Sequence, residues 1–159
     1  MLTILRMLNS YKSFLKKIIP LHFRQEIRRL ERRIIGLERR YKHLSTEQVF
    51  ETIYKNGVWG KNEQGLSISG AGSHTDRIVL PYVDALKKIN NEYSLDSAVD
   101  LGCGDFAVGS KIFDVFDRYT ACDISSTIVD RNRKLYDGKN LEFKKINLAE
   151  DDLPFGDIA

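Results

Sequence analysis

The feature that most constrains the fold is a short apolar segment that ends near an acid and runs directly into two closely spaced glycines. Residues 97–101 are apolar apart from their ends and are bounded by glycine, which favours a buried strand of a parallel sheet over a helix. Gly102 and Gly104 lack a Cβ and can adopt positive φ, so a ligand can approach the backbone closely there. The apolar spacing that follows predicts a helix over residues 106–116, whose N-terminus would favour an anionic ligand group.

Two further strands follow at the spacing of an alternating α/β chain. Residues 118–124 predict a second strand with Asp123 near its end, and Ser125 offers an N-cap for the helix after it. Residues 141–146 alternate apolar and polar side chains and predict a third strand, which Asn147 follows. The order strand, helix, strand, helix, strand predicts a parallel sheet with right-handed crossovers.

Polar side chains stand at the ends of all three predicted strands. Asp100, Asp123 and Asn147 would lie along one edge of the sheet, because the carboxyl ends of parallel strands meet there. An acid at the end of the second strand of a doubly wound sheet accepts hydrogen bonds from ribose hydroxyls, as Asp123 would do. The sequence therefore predicts a nucleotide-like ligand at this edge.

Three segments resemble the first motifs of class I S-adenosylmethionine-dependent methyltransferases. They are Asp-Leu-Gly-Cys-Gly at 100–104, Cys-Asp-Ile-Ser at 122–125, and Asn147 followed by Asp-Leu-Pro-Phe at 152–155. Each motif is weak alone, whereas their order and spacing are specific, and the resemblance covers residues 97–159. The fold class we expect is α/β: a Rossmann-like doubly wound parallel sheet, incomplete, preceded by an α-helical basic N-terminal arm.

The resemblance implies a role for each matching position. The chain departs from the family at Phe106, where a small residue is common, and we expect this bulk to narrow the cofactor cleft. The positions implied to bind S-adenosylmethionine are Gly102 and Gly104 under its methionine part with Cys103 between them, Asp100 at its amino group, Asp123 at its ribose, and Ile124, Asn147 and Leu148 around its adenine.

A nicotinamide dinucleotide is the competing ligand, because its G-x-G-x-x-G fingerprint also places a ribose-binding acid about 20 residues beyond the glycines. Ala107 stands at the third glycine position, which is an allowed variant, so the spacing alone leaves both ligands open. The acid two residues before Gly102 and the Leu-Pro-Phe at 153–155 favour the methyltransferase. A P-loop is excluded, because no Gly-Lys-Ser/Thr follows the turn.

A glycine-rich segment at 54–73 precedes this region and predicts a loop. Its Trp-Gly pair and Ser-Gly-Ala-Gly-Ser run resemble the lead-in segment of some bacterial members of the same family. Two roles for Trp59 stay open: a lid that closes over a bound cofactor, or a simple hydrophobic anchor. Ser73 with Asp76 predicts a capping box for a helix that runs to about residue 90.

The first 43 residues differ in charge from the rest of the chain. They hold 12 of its 25 Lys and Arg but 3 of its 22 Asp and Glu, a net charge of +9 that leaves −6 for residues 44–159. Apolar residues at 27, 30, 34 and 37 predict a basic amphipathic helix. Such an arm suits an anionic membrane surface or a partner helix, with a packed or solvated helix hairpin as the plainer alternative.

The expected organisation has three parts. Residues 1–43 form the basic arm, residues 44–96 the lead-in helices and glycine-rich loop, and residues 97–159 the cofactor-binding portion. That portion holds three strands and the start of a fourth at 157–159, whereas the domain of the family has seven. We favour a fragment of a longer protein over a naturally short one, and we expect its open strand edge to cause oligomerisation or poor solubility.

The predicted function is transfer of a methyl group from S-adenosylmethionine to an unidentified small molecule or glycan, with no catalytic residue identified. The alternative is a non-catalytic remnant or interaction module that acts through the basic arm. Residues 44–159 are acidic, so no nucleic-acid partner is expected. We expect a cytoplasmic protein, with residues 1–43 as its one candidate for peripheral membrane contact. Two cysteines support neither a disulfide framework nor a zinc site, and the three histidines, expected as surface or cap residues, form no cluster.

Overall fold

A computed structural model describes residues 41–159 of the 159-residue chain, so nearly all of the predicted basic arm lies outside the described residues. Within the described part the chain forms three α-helices, three strands and three short 3-10 helices. The helices are α1 (Thr46–Asn56), α2 (Asp76–Tyr93) and α3 (Ser126–Leu135), and the strands are β1 (Ser97–Leu101), β2 (Arg118–Asp123) and β3 (Leu141–Lys145). Among residues 41–159, no helix has the length and apolar character needed to cross a bilayer.

The three strands form one parallel sheet in the order β1-β2-β3, which confirms the predicted α/β arrangement. In the register, Val99 lies opposite Thr120, and Ala121 lies opposite Phe143. Ile158 makes an isolated parallel bridge to Ala98, on the edge of β1 that β2 leaves free. The sheet therefore continues beyond β1 at the position where the sequence predicts the start of a fourth strand.

Helix α3 begins where the sequence predicts, because the Ser125 hydroxyl accepts a hydrogen bond from the Ile128 N–H. Its buried face, which includes Ile128 and Val129, packs on β2 and β3. The β1–β2 connection also packs into this core, with the fully buried ring of Phe106 against Phe143. The crossover segments thus bury one face of the sheet and fix the carboxyl ends of the strands relative to one another.

The predicted helix over residues 106–116 is wrong. The segment instead forms two 3-10 helices, Gly109–Lys111 and Phe113–Val115. Phe106, the first residue of the predicted helix, adopts a φ of +63°, so a regular helix cannot begin at that residue. The apolar spacing that favoured a helix comes from side chains that enter the core from short turns. An anion site based on a helix N-terminus is therefore not formed after the glycine turn.

Two expectations for the lead-in segment also need correction. The proposed capping box at Ser73 and Asp76 does not form: Ala71–His74 is a 3-10 helix, and α2 begins after Thr75 without a side-chain cap. A capping box does form at α1, where Ser45 and Gln48 bond reciprocally. The predicted loop over 54–73 accordingly starts too early, since α1 continues to Asn56 and ends at Gly57 with a φ of +62°.

Candidate ligand-binding site

A cavity of about 390 Å³ lies at the carboxyl ends of the strands, which is within the usual size range of small-molecule sites. Six of the nine residues predicted from the sequence line it. These are Trp59, Gly102, Asp123, Ile124, Asn147 and Leu148, and the other lining residues are Thr46, Phe50, Tyr54, Ser69, Ser73 and Ala149. Asp100, Cys103 and Gly104 are not part of the lining.

Asp123 is the only charged residue in the cavity lining of the described structure. Its carboxylate is 5% exposed and accepts backbone N–H bonds from Gly104 (3.0 Å) and Ser125 (2.9 Å). Burial raises its pKa, and the backbone bonds act in the opposite direction. Each carboxylate oxygen has a second acceptor site, so Asp123 can still accept hydrogen bonds from two neighbouring hydroxyls.

Gly102 forms the floor of the cavity at the end of β1. Its φ is +84°, a conformation that favours glycine, and a Cβ added there would meet no heavy atom within 4 Å. The space beside this backbone is therefore open. A ligand that approached the Gly102 backbone would occupy the volume that a side chain would fill.

Gly104 has a different role from Gly102. An added Cβ would lie 2.0 Å from the Ser69 hydroxyl oxygen, which accepts a 2.7 Å hydrogen bond from the backbone N–H of Asp105. The Tyr54 hydroxyl lies 3.3 Å from the same oxygen. Gly104 therefore allows the glycine-rich loop to pack onto the turn.

Asp100 and Cys103 lie beneath the turn. The Asp100 carboxylate accepts a 3.2 Å hydrogen bond from the Tyr119 hydroxyl, and burial raises its pKa to about 6. Burial also raises the pKa of the Cys103 thiol, which is a free cysteine. Asp100 and Cys103 therefore pack under the turn, and neither of them lines the cavity.

Helix α1 covers the site; the sequence predicts helices within residues 44–96, but it does not predict these bounds or this position at the site. Near its N-terminus the Glu47 carboxylate pairs with Lys145 at the end of β3 (2.6 Å). One turn later Glu51 accepts hydrogen bonds at the start of α3, from the hydroxyls of Ser125, Ser126 and Thr127 and from the Thr127 backbone N–H. These bonds lower the pKa of Glu51 although burial, the largest single influence, raises it.

The cavity-facing residues of α1 are spaced at four-residue intervals. Thr46, Phe50 and Tyr54 all line the site, which places them on one helix face. The Trp59 ring packs edge-on against Phe50 (5.9 Å between centroids) and Tyr54 (5.6 Å). The capping box at Ser45 and this spacing are the signals from which α1 could have been found in the sequence.

Asn147 lies at the far end of the cavity, after β3. Its side-chain oxygen accepts a 3.2 Å hydrogen bond from the Ala149 N–H, and its own N–H donates to the Asp151 carboxylate (2.8 Å). These bonds hold the turn that also brings Leu148 to the cavity. The side-chain amide N–H₂ of Asn147 takes no part in either bond and can donate to a ligand.

His74 is more than the surface residue that the sequence predicts. Its Nε2 lies 2.5 Å from the carboxylate of Asp105, which is 7% exposed, although the imidazole itself is well exposed. The other carboxylate oxygen of Asp105 is buried without a hydrogen-bond partner in the described structure. The pair ties the 3-10 helix before α2 to the glycine turn, next to the cavity.

Comparison with known proteins adds no family to these observations. No model of a protein family matches the chain, and no curated protein matches it significantly. What the fold and the site define is a class: an α/β protein with a parallel sheet and a cavity at the carboxyl ends of its strands.

Proposed function

We propose that the described part of the chain is the S-adenosylmethionine-binding portion of a class I methyltransferase, built on an incomplete Rossmann-like doubly wound sheet. The observation that carries the proposal is one cavity lined by Gly102, Asp123 and Asn147, which lie at or within two residues of the carboxyl ends of β1, β2 and β3. Ligands of doubly wound sheets bind at this edge, where the strand order reverses. The bridge from Ile158 to Ala98 supports such a reversal beside β1.

The residues that line the cavity suit the backbone-facing, ribose and adenine parts of the cofactor, whereas Asp100, implied at its amino group, lies outside the lining. Gly102 leaves open backbone and volume for the methionine part, and Asp123 has acceptor capacity for a ribose diol. Ile124 and Leu148 offer apolar surface for adenine, and the Asn147 amide offers a donor. The ring of Phe106, expected to narrow the cleft, instead points into the core and is 0% exposed, so it leaves the cavity open.

When bound, S-adenosylmethionine supplies a methyl group activated by the positive charge on its sulfur. The residues of this chain bind and orient the cofactor, and positioning is the main contribution that such a site makes to an in-line transfer. We propose a small molecule or a glycan as the acceptor. A cytoplasmic location and a membrane or partner-helix contact through residues 1–43 stay predictions.

Titration calorimetry of the full 159-residue chain with S-adenosylmethionine tests the proposal. Wild-type protein should bind the cofactor, and Asp123→Asn should weaken binding by about 10- to 100-fold, the usual effect of losing a hydrogen bond to a charged group. Asp137→Asn, at an exposed position outside the cavity, is the matched control and should leave affinity unchanged.

Two further measurements make the test decisive. Gly102→Ala should also weaken cofactor binding, because its methyl group would take up space beside the backbone that lines the cavity. Thermal unfolding reports whether each variant is folded. Titration with NAD tests whether the site binds a nicotinamide dinucleotide instead. Binding of NAD in place of S-adenosylmethionine, or binding of neither by folded wild-type protein, would overturn the proposal.

A further inference from the structure

Successive turns of helix α1 contact the regions that follow β3, β2 and β1. Glu47 is tied to Lys145 at the end of β3, and Glu51 is tied to the N-terminus of α3, which follows β2. Tyr54 reaches the turn after β1 through Ser69. A ligand that lies along this edge therefore passes under successive turns of α1.

This position of α1 would place the middle of the proposed cofactor beside aromatic rings. With adenine at Asn147 and the methionine part at Gly102, the atoms between them would lie in the cavity that Phe50 and Tyr54 also line. Trp59 packs against both rings, with interplanar angles of 68° and 85°. The three rings form one aromatic wall, defined as Phe50, Tyr54 and Trp59.

The charge of the cavity favours a cation. The lining within residues 41–159 contains one carboxylate, that of Asp123, and contains no lysine, arginine or histidine. Aromatic rings attract cations through the negative potential of their faces, and tryptophan does so most strongly. Trp59 is 41% exposed although it is large and apolar, so part of its surface is free to meet a ligand.

We propose that the aromatic wall recognises the positively charged sulfonium of S-adenosylmethionine and so distinguishes the cofactor from its neutral product, S-adenosylhomocysteine. This inference rests on the proposed function. It makes Trp59 a specificity-determining residue. After methyl transfer the sulfur would carry no charge, so the rings would hold the product less tightly than the cofactor.

Two plainer roles for Trp59 make different predictions. A hydrophobic anchor for the loop, or an apolar surface for adenine, would contribute equally to binding of the cofactor and of the product, because both ligands share those parts. Recognition of the sulfonium would contribute to one of them only. The ratio of the two dissociation constants therefore separates these roles.

The experiment compares three ligands by calorimetry on the full chain: S-adenosylmethionine, S-adenosylhomocysteine and sinefungin, which carries an ammonium group near the position of the sulfonium. Trp59→Leu keeps an apolar side chain and removes the ring. It should weaken S-adenosylmethionine and sinefungin by about 2- to 30-fold relative to S-adenosylhomocysteine. Trp59→Phe should retain part of the preference.

Tyr93→Leu is the matched control, since it removes an exposed aromatic ring at the end of α2, outside the cavity, and should change none of the three affinities. Equal losses for all three ligands in Trp59→Leu, or no loss for any, would overturn the sulfonium role and leave the proposed function standing. Failure of folded wild-type protein to bind any of the three would overturn the proposed function itself.

Discussion

The carboxyl group of Asp100, beneath the glycine turn, makes the stability of the fold depend on pH. Its pKa is raised from 3.8 to about 6 by burial, so the folded protein holds this proton more tightly than the unfolded chain does. Below about pH 4 the group is protonated in both states and costs nothing. Between about pH 4 and pH 6 the unfolded chain loses this proton while the folded protein keeps it, so the destabilising effect grows over this range and is complete above pH 6.

Replacing the charge should therefore stabilise the protein at neutral pH. We expect Asp100→Asn to raise the free energy of unfolding by up to about 3 kcal/mol at pH 8, because two pKa units correspond to roughly that value. The Tyr119 hydroxyl can still donate to the amide oxygen. Urea titration at pH 8 and at pH 4 checks this, with exposed Asp114→Asn as control. A gain of the same size at pH 4 would contradict the assignment to ionisation.

For single residues, the sequence predicts which residues lie at the site better than it predicts what each of them does there. Residue chemistry alone selects Gly102, Asp123 and Asn147 as site residues, and the structure places all three around one cavity. The role of Gly104 was not predictable, because its need for glycine arises from Ser69, which is 35 residues away in the chain. The direction of the Phe106 ring depends on a positive φ that no propensity suggests for phenylalanine.

Among the elements, the packing of the glycine-rich loop on the turn is the contact most open to test. Gly104→Ala should destabilise the protein by about 2–4 kcal/mol, through backbone strain at φ +55° and a clash with Ser69. Gly65→Ala is a matched control, since Gly65 also has positive φ (+77°) but no heavy atom near an added Cβ. Chemical denaturation of both variants separates the clash from the strain.

The double variant identifies the partner of Gly104. Ser69→Gly removes the two atoms nearest to the added methyl group, so Ser69→Gly/Gly104→Ala should be more stable than the sum of the single changes predicts. We expect a coupling of about 0.5–3 kcal/mol in this double-mutant cycle. Strict additivity of the two changes would show that the loop does not lie on the turn in solution.

The sequence predicts the three strands and α3 correctly, whereas it does not predict α1, although the Ser45 capping box is a local signal for that helix. Each strand matches its predicted range within one residue, because β1 is a short apolar run bounded by glycine and β3 alternates apolar and polar side chains. Helix α3 was found from its Ser125 cap. The helix predicted over residues 106–116 was wrong because apolar side chains at helical spacing can also enter the core from short 3-10 turns. The position of α1 depends on Glu47 and Glu51, whose partners lie on other elements.

At the scale of the whole molecule, residues 157–159 add a parallel bridge to the edge of β1 that β2 leaves free. The Asp157 carboxylate accepts hydrogen bonds from the N–H groups of Asp96 (3.1 Å) and Ser97 (2.8 Å) and from the Ser97 hydroxyl (2.8 Å). These bonds hold Ile158 against β1, where its carbonyl accepts from the Val99 N–H (2.9 Å). Without them the strand order would lack the reversal on which the proposed ligand position depends.

Removal of the Asp157 carboxylate should loosen this edge and leave the rest of the sheet intact. In Asp157→Ala we expect hydrogen exchange at the Val99 amide to become several-fold faster, while the amides between β2 and β3 keep their protection. Asp152→Ala, at an exposed position nearby, is the control. Unchanged exchange at Val99 would show that the segment is held by other contacts.

The ring of Phe106 has a wider consequence for how this protein can change over evolution. The same residue that shapes the chain after the glycine turn is packed among Phe113, Tyr119, Tyr136 and Phe143. A repacking of that aromatic cluster therefore moves the backbone beside the cavity, and a change in the turn disturbs the cluster. We therefore expect substitutions in this cluster to change both the stability of the fold and the backbone beside the cavity, so neither property can change alone during evolution.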